Sequence, residues 1–259
     1  MDFAYTAAGF AVGAIVGLTG VGGGSLMTPL LVLMFGIHPS VAVGTDLLYA
    51  AITKAGGTLA HGLKGTVDWT VTRRLASGSI PSSLLTLYLV GTFAPGGIEG
   101  ASDIIKVALG IALVLTAIAI VFRRHIQKYA VRRFGEHPNP RRIAALTVLT
   151  GAVLGVLVSI SSVGAGALGV TALIFLYPAM PALRIVGSDI AHAVPLTAVA
   201  GMGHWWLGSV DWALLGSLII GSLPGIWLGS HVSTRIPDRV LRPILATMLV
   251  LVGAKLIAH

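Results

Sequence analysis

From Ile104 to Phe122 the chain runs 19 residues with one charge, Lys106, and from Val240 to Ala258 it runs another 19 with Arg242 and Lys255 near the ends. As helices, at 1.5 Å per residue, such runs match a hydrocarbon core of roughly 30 Å. In lipid every backbone N–H and C=O must be satisfied inside the protein, which leaves only helices or closed barrels. The period-2 alternation of a barrel strand is absent, so the fold class is an all-α polytopic membrane protein. Composition agrees: 55% of residues are hydrophobic, 10% are charged, and the mean hydropathy is +0.92, against roughly 25% charged in soluble domains. The opening MDFAYTAAGF has no basic n-region and carries Asp2, so no cleaved signal peptide is expected. The net charge of +8 sits in loops between apolar segments, where it orients a membrane protein, and nucleic acid is not an expected partner. With no cysteine, disulfides, iron–sulfur ligation and thiol catalysis are excluded.

A shift of 143 residues lays GTDLLYA (Gly44 to Ala50) on GSDIAHA (Gly187 to Ala193), and AHGLKGTVDW (Ala60 to Trp69) on GHWWLGSVDW (Gly203 to Trp212). Residues 44–81 against 187–224 give 13 identities in 38 without a gap, well above the roughly one in ten that so biased a composition gives by chance. Upstream the register slips by one, and VGGGSL (Val21 to Leu26) meets VGAGAL (Val163 to Leu168). The chain is therefore read as a first transmembrane repeat, 1–122, a basic linker, 123–142, and a second repeat, 143–259. Each repeat is a Gly-interrupted apolar segment followed by three helices, near 40–62, 69–92 and 103–122 in the first and 183–207, 212–231 and 240–258 in the second.

The linker RRHIQKYAVRRFGEHPNPRR is the most basic stretch of the chain and is expected in the cytoplasm. If the segment 143–177 crossed the membrane once, Arg184, Arg235, Arg239 and Arg242 would lie outside. If it enters, breaks at SISSVGAGA (Ser159 to Ala167) and turns back, all four are cytoplasmic. Given the same treatment, GLTGVGGGSLMTPLL (Gly17 to Leu31) gives each repeat an odd number of full crossings, and the two repeats acquire inverted topology. The arms are expected to be about 13–18 residues, enough to reach the middle of the bilayer. A single unwound helix that crosses once is the other reading of each Gly-broken segment. Four glycines within five residues, Gly20, Gly22, Gly23 and Gly24, with Pro29 just beyond them, are expected to break any helix crossing that run.

Non-helical backbone at membrane depth survives where it lines a cavity, and paired discontinuous helices point to a transporter's binding site. Bare N–H groups at the start of a returning half-helix suit an anion. The candidate substrate-binding residues are Gly22, Gly23, Gly24 and Ser25 at the first break and Ser161, Ser162, Gly164 and Gly166 at the second, with the hydroxyls of Thr45 and Ser188 beside them. Close helix packing is the other use of such glycines. A phosphate loop is excluded, since no G-K-[ST] follows. Asp46 and Asp189 lie about two turns into their helices, where a carboxylate is costly and serves either proton coupling or as a scaffold for the neighbouring loop. Lys54 and His192 follow on the same helix faces and join them as candidates, Lys54 to draw an anion or to snorkel, His192 to relay protons or to pack. Asp68 and Asp211 read as N-caps, Trp69 and Trp212 as interfacial anchors. No HExxH, GxSxG or other metal or cofactor pattern occurs, so no enzyme, metal or cofactor is expected.

The motif GLTGVGGGSLMTPL at Gly17 to Leu30, the GTDL element after the next proline and the G-x-V-D-W turn at Gly65 to Trp69, all repeated, resemble the TauE/SafE sulfite exporter (TSUP) family. The resemblance covers nearly the whole chain. It implies transport of sulfite, sulfoacetate or other small sulfur-containing anions across the bacterial inner membrane, commonly as export. The second copy keeps only Val163, Gly164, Gly166 and Leu168, has no equivalent of Pro29, and replaces the preceding glycines with SISS. The leading expectation is a secondary active, proton-coupled transporter whose partners are a small anion and the lipid bilayer. A passive anion channel and a membrane assembly factor are the alternatives.

Overall fold

A computed structural model describes residues 3–19, 24–94, 97–134, 139–232 and 238–258, and every regular element in it is a helix. In chain order these are α1 (Phe3–Thr19), α2 (Gly24–Phe35), α3 (Pro39–Leu63), α4 (Trp69–Phe93), the single turn α5 (Gly97–Gly100), α6 (Ser102–Phe134), α7 (Pro140–Ser161), α8 (Ala167–Leu176), α9 (Ala182–Trp206), α10 (Trp212–Val232) and α11 (Asp238–Ala258). Among the described residues four helical stretches are long and apolar enough to cross a membrane: Ser102–Arg123, Pro140–Ser161, Ala182–Trp206 and Trp212–Gly229. Helices α3 and α4 have 25 residues each but are more polar, because α3 carries Asp46, Lys54 and His61 and α4 a run of hydroxyls.

Local chemistry sets the helix starts. Asp68 Oδ1 accepts from the N–H groups of Thr70 and Val71 at 3.0 and 3.2 Å. Its counterpart Asp211 accepts from Ala213 and Leu214, both at 2.9 Å, so both carboxylates are N-caps. Asn139 caps α7, with Pro140 in its first turn. Trp69 and Trp212, the next residue in each copy, are half exposed.

Three expectations need correction. The basic linker is largely helix, since α6 continues through Arg123 to Phe134; Arg, Gln, Lys and Ala are good helix formers, and nothing before Gly135 stops them. The arms depart from 13–18 residues in both directions: α7 has 22, because its first turn, with Arg141 and Arg142, is an exposed extension of the apolar part, while α2 has 12 and α8 has 10. Pro29 lies inside α2, and the helix resumes before it, at Gly24.

The two sequence copies pack reciprocally. Helix α1 lies along α10 as α7 lies along α4, while α3 pairs with α9 and α6 with α11. Hydrogen bonds cross between copies in the same way. Thr45 Oγ1 in α3 accepts from Asp211 N–H at 3.1 Å, and Ser188 Oγ in α9 accepts from Asp68 N–H at 2.8 Å. Helices α3 and α9 thus each fasten the capped turn of the opposite half. Backbone contact is close at both places: a Cβ on Gly44 would lie 2.1 Å from the carbonyl oxygen of Ser209, and one on Gly187 would lie 2.5 Å from that of Thr66. Thr45→Val and Ser188→Ala each leave a partly buried amide without its acceptor. Each is expected to cost about 1–3 kcal/mol, read as a lower thermal midpoint in detergent, with the pair close to additive.

The ends of the broken segments also meet. Tyr5, near the start of α1, packs on Phe35 at the end of α2 with ring centroids 5.0 Å apart. In the second half Thr147 of α7 shares a 2.8 Å hydrogen bond with Tyr177, just past α8.

Candidate functional site

The break between α7 and α8 is a tight irregular turn. Ser162 ends α7 in the left-handed region at φ 58°, and its N–H reaches the carbonyl of Val158 at 2.8 Å. Gly164 and Gly166 follow at φ 128° and 139°, values that side-chain-bearing residues rarely adopt. Gly166 stands at the N-cap of α8 without a side-chain cap, so the first N–H groups of α8 have no intrahelical acceptor and carry the positive end of the helix dipole. Gly169 and Val170 already bond back to the carbonyls of Gly164 and Gly166.

The first half reaches into this turn at two points, both from α3. Asp46 Oδ2 accepts from Ser162 Oγ at 3.0 Å and from Thr28 Oγ1 of α2 at 2.5 Å. One carboxylate oxygen therefore joins α2, α3 and the opposite break. Two turns further on, Lys54 Nζ donates to the carbonyl of Ala165 at 2.6 Å, and its charge acts on Asp189 and Asp46. Asp46 is wholly buried and Asp189 1% exposed, and Oδ1 of each meets no partner among the described residues.

Asp189 is held differently from its copy. A Cβ on Gly169, in the first turn of α8, would lie 1.9 Å from Asp189 Oδ1; the carboxylate occupies the space that the glycine leaves. His192, one turn along α9, shares a 2.8 Å hydrogen bond through Nε2 with Ser79 Oγ of α4, while Nδ1 is buried without a partner among the described residues. Its copy in the first half is Tyr49, fully buried.

The other predicted residues fall as follows. Ser161 Oγ donates to the carbonyl of Leu157 at 2.7 Å and accepts from Val163 N–H at 3.2 Å, so its hydroxyl serves the turn itself. Thr45 and Ser188 have their oxygens on the cross-repeat amides, and Ser188 also donates to the carbonyl of Arg184 at 2.7 Å. Gly24 and Ser25 open α2, while Gly22 and Gly23 lie outside the described residues. The structure thus brings Asp46, Lys54, Ser162, Gly164, Gly166 and Asp189 to one turn. Thr28, the Ala165 carbonyl and Gly169 complete it; of these only Thr28, a hydroxyl one turn past the glycine run, carries a signal that the sequence displays.

Helices of membrane-spanning length, with two buried carboxylates and a half-buried lysine brought to an irregular turn between two similar halves, mark an integral membrane protein. The sequence profile of the sulfite exporter TauE/SafE family matches residues 5–256. The chain belongs to that family. It is 44% identical over 250 residues to the probable membrane transporter protein YjnA of Bacillus subtilis strain 168, a match covering 96% of this chain and 97% of that one. It is 26% identical over 261 residues to the probable membrane transporter protein YunE of the same organism, covering 96% and 94%. The probable membrane transporter protein MJ0441 of Methanocaldococcus jannaschii is 27% identical over 260 residues, covering 95% and 91%. No solved structure matches the chain.

Proposed function

We propose that this protein is a secondary active transporter, set in the bacterial inner membrane, that exports a small sulfur-containing anion such as sulfite or an organosulfonate, coupled to protons. We read α1–α2 and α7–α8 as re-entrant hairpins entering from opposite faces, which makes the repeats inverted. The Tyr5–Phe35 and Thr147–Tyr177 contacts support the hairpins. Their opposite entry is supported by α6. At its start Ser102 bonds His38, which follows α2, at 2.9 Å; towards its end Tyr129 stacks on Phe175 of α8 with centroids 6.4 Å apart. About 40 Å of helix separates Ser102 from Tyr129. The basic end of α6 lies on the cytoplasmic side by the positive-inside rule.

The observation that carries the anion reading is the Lys54 ammonium, fixed on the irregular backbone beside the uncapped start of α8. An ammonium and bare amides suit an oxyanion. Two ionised carboxylates nearby do not: at 4 Å and an effective dielectric of 20, each like-charge pair costs about 4 kcal/mol. Protonation of either carboxylate changes that cost, which couples the anion site to protons.

Reconstituted into liposomes, the protein is expected to move sulfite, sulfoacetate or thiosulfate in response to an imposed pH gradient. Lys54→Met should raise KM about tenfold or more, with Lys54→Arg in between. The reading fails if none of the three anions moves, and flux that is linear in concentration and indifferent to the pH gradient makes the protein a channel.

A further inference from the structure

The two halves are copies in sequence, but their helix seams differ in chemistry. Where α4, α7 and α9 meet, buried hydroxyls and imidazoles form a line. Ser79, Ser83 and Thr86 recur at one-turn spacing on the inner face of α4, all buried. Ser79 Oγ bonds His192 Nε2 at 2.8 Å, and Ser159 Oγ of α7 donates to Ser83 Oγ at 2.7 Å. His204 Nε2 meets the carbonyl of Ser159 at 2.8 Å; a carbonyl only accepts, so this nitrogen carries the hydrogen. That leaves His204 Nδ1 as an acceptor in the neutral ring, and it is buried without a partner among the described residues. A cavity of about 10 Å³ lies against Thr86, Ser159 and His204 and, on its other sides, seven apolar side chains, at the lower limit for one water.

In the other half the repeat register replaces Ser83 with Ile226, Thr86 with Gly229 and His192 with Tyr49, and the upstream register replaces Ser159 with Gly17. Both seams pack backbone to backbone, since a Cβ on Gly221 of α10 would lie 1.9 Å from the carbonyl oxygen of Thr6 and one on its copy Gly78 of α4 would lie 2.0 Å from that of Val148, so the seams differ in their side chains alone. Ser79 alone keeps its hydroxyl, as Ser222, which donates to the carbonyl of Ile219 in its own helix at 3.2 Å.

We propose that the seam of α4, α7 and α9 is a proton-conducting column joining Asp189 to the His204 end of α9, and that protons therefore reach the central carboxylates from one face of the membrane. The proposal rests on the proton-coupled reading above. From Asp189 to His204 is 15 residues of α9, about 22 Å. His204 is next to Trp205 and Trp206, 51% and 88% exposed, with Trp205 edge-on to Trp212 at 5.8 Å, an aromatic cluster of the kind found at a membrane surface. His204 takes a proton on Nδ1 and returns it through the same atom to a water in the cavity. The hydroxyls of Ser159, Ser83 and Ser79 each accept one proton and release another, with a water bridging Ser83 and Ser79, which stand one turn apart on α4. His192 receives it on Nε2 and passes one from Nδ1 through a bridging water to Asp189 Oδ1, the two atoms not being in direct hydrogen bond. One proton moves from the aqueous side to a carboxylate; His192 is left as its other tautomer and the hydroxyls are left reversed, and both reset by tautomer exchange and hydroxyl rotation before the next proton. Lys54 of α3 is the charge that acts on both Asp189 and His192.

The absence of cysteine makes a direct test available. Single-cysteine variants Ser83→Cys and Ile226→Cys, copies of one position, are exposed to silver ion in proteoliposomes and then denatured and labelled with N-ethylmaleimide. Silver is expected to protect the first at least tenfold faster than the second; equal rates, or no protection of Ser83→Cys, overturn the column. In transport, Ser83→Ala and His204→Gln should lose about tenfold in pH-gradient-driven sulfoacetate accumulation, while sulfoacetate exchange at equal pH stays within about twofold. Parallel loss of both, or loss of neither, also overturns it. Accumulation by the unaltered protein that ignores the pH gradient defeats the coupled reading itself, and the silver rates still decide whether the seam is wet.

Discussion

Gly169→Ala is expected to abolish transport and lower the thermal midpoint by several degrees. The new methyl would stand 1.9 Å from Asp189 Oδ1, well inside contact distance. Either α8 shifts away from α9 or the carboxylate turns into apolar surroundings. Overpacking of this kind costs about 1–3 kcal/mol before any displaced charge is counted, and a displaced carboxylate adds its lost solvation. The double variant Gly169→Ala/Asp189→Ala separates the two effects. It should recover most of the thermal midpoint, because the space is restored, and still lack pH-gradient-driven flux, because the carboxylate is gone. Thermal unfolding of the parent and the two variants in one detergent, with flux measured beside it, checks this; a Gly169→Ala protein as stable and active as the parent would show that Asp189 does not sit against α8.

Asp46 gives the second large effect, and its two replacements should part company. Asp46→Ala leaves the hydroxyls of Thr28 and Ser162 buried without their acceptor, at about 1–3 kcal/mol each, and releases both α2 and the Ser162 turn from α3. Poor expression or aggregation is the expected result. Asp46→Asn keeps an oxygen that accepts both hydrogen bonds, so the clasp survives while the titratable group does not. It should purify as the parent does, within about 1 kcal/mol, and transport with a flattened pH dependence. If Asp46→Asn keeps the parent's pH profile, Asp46 is a fastening and the proton is carried elsewhere, with Asp189 as the remaining carboxylate.

Much of the architecture is legible along the chain because it depends on local, periodic properties. Apolar runs of membrane-spanning length give the helices; Asp68 and Asp211 give two helix starts through hydrogen bonds to residues two and three positions away. The 143-residue register gives the duplication, and the glycine pattern gives the family. Where local reading failed it met a competing local force, as at the basic linker, where charge suggested a loop but helix propensity carried α6 to Phe134.

The centre of the molecule is different. That Asp46 lies two turns into its helix follows from the sequence; that its partner is Ser162, 116 residues away, does not. The same holds for Lys54 and the Ala165 carbonyl, 111 residues apart, and for Thr45 and Ser188, whose hydroxyls looked free to meet a substrate and instead hold amides of the opposite half. Hydropathy and capping act over one or two helical turns and so are written in neighbouring residues. Which buried polar atom meets which is settled only when α3 and α9 pack face to face, because in a desolvated interior each group bonds whatever the packing brings within about 3 Å.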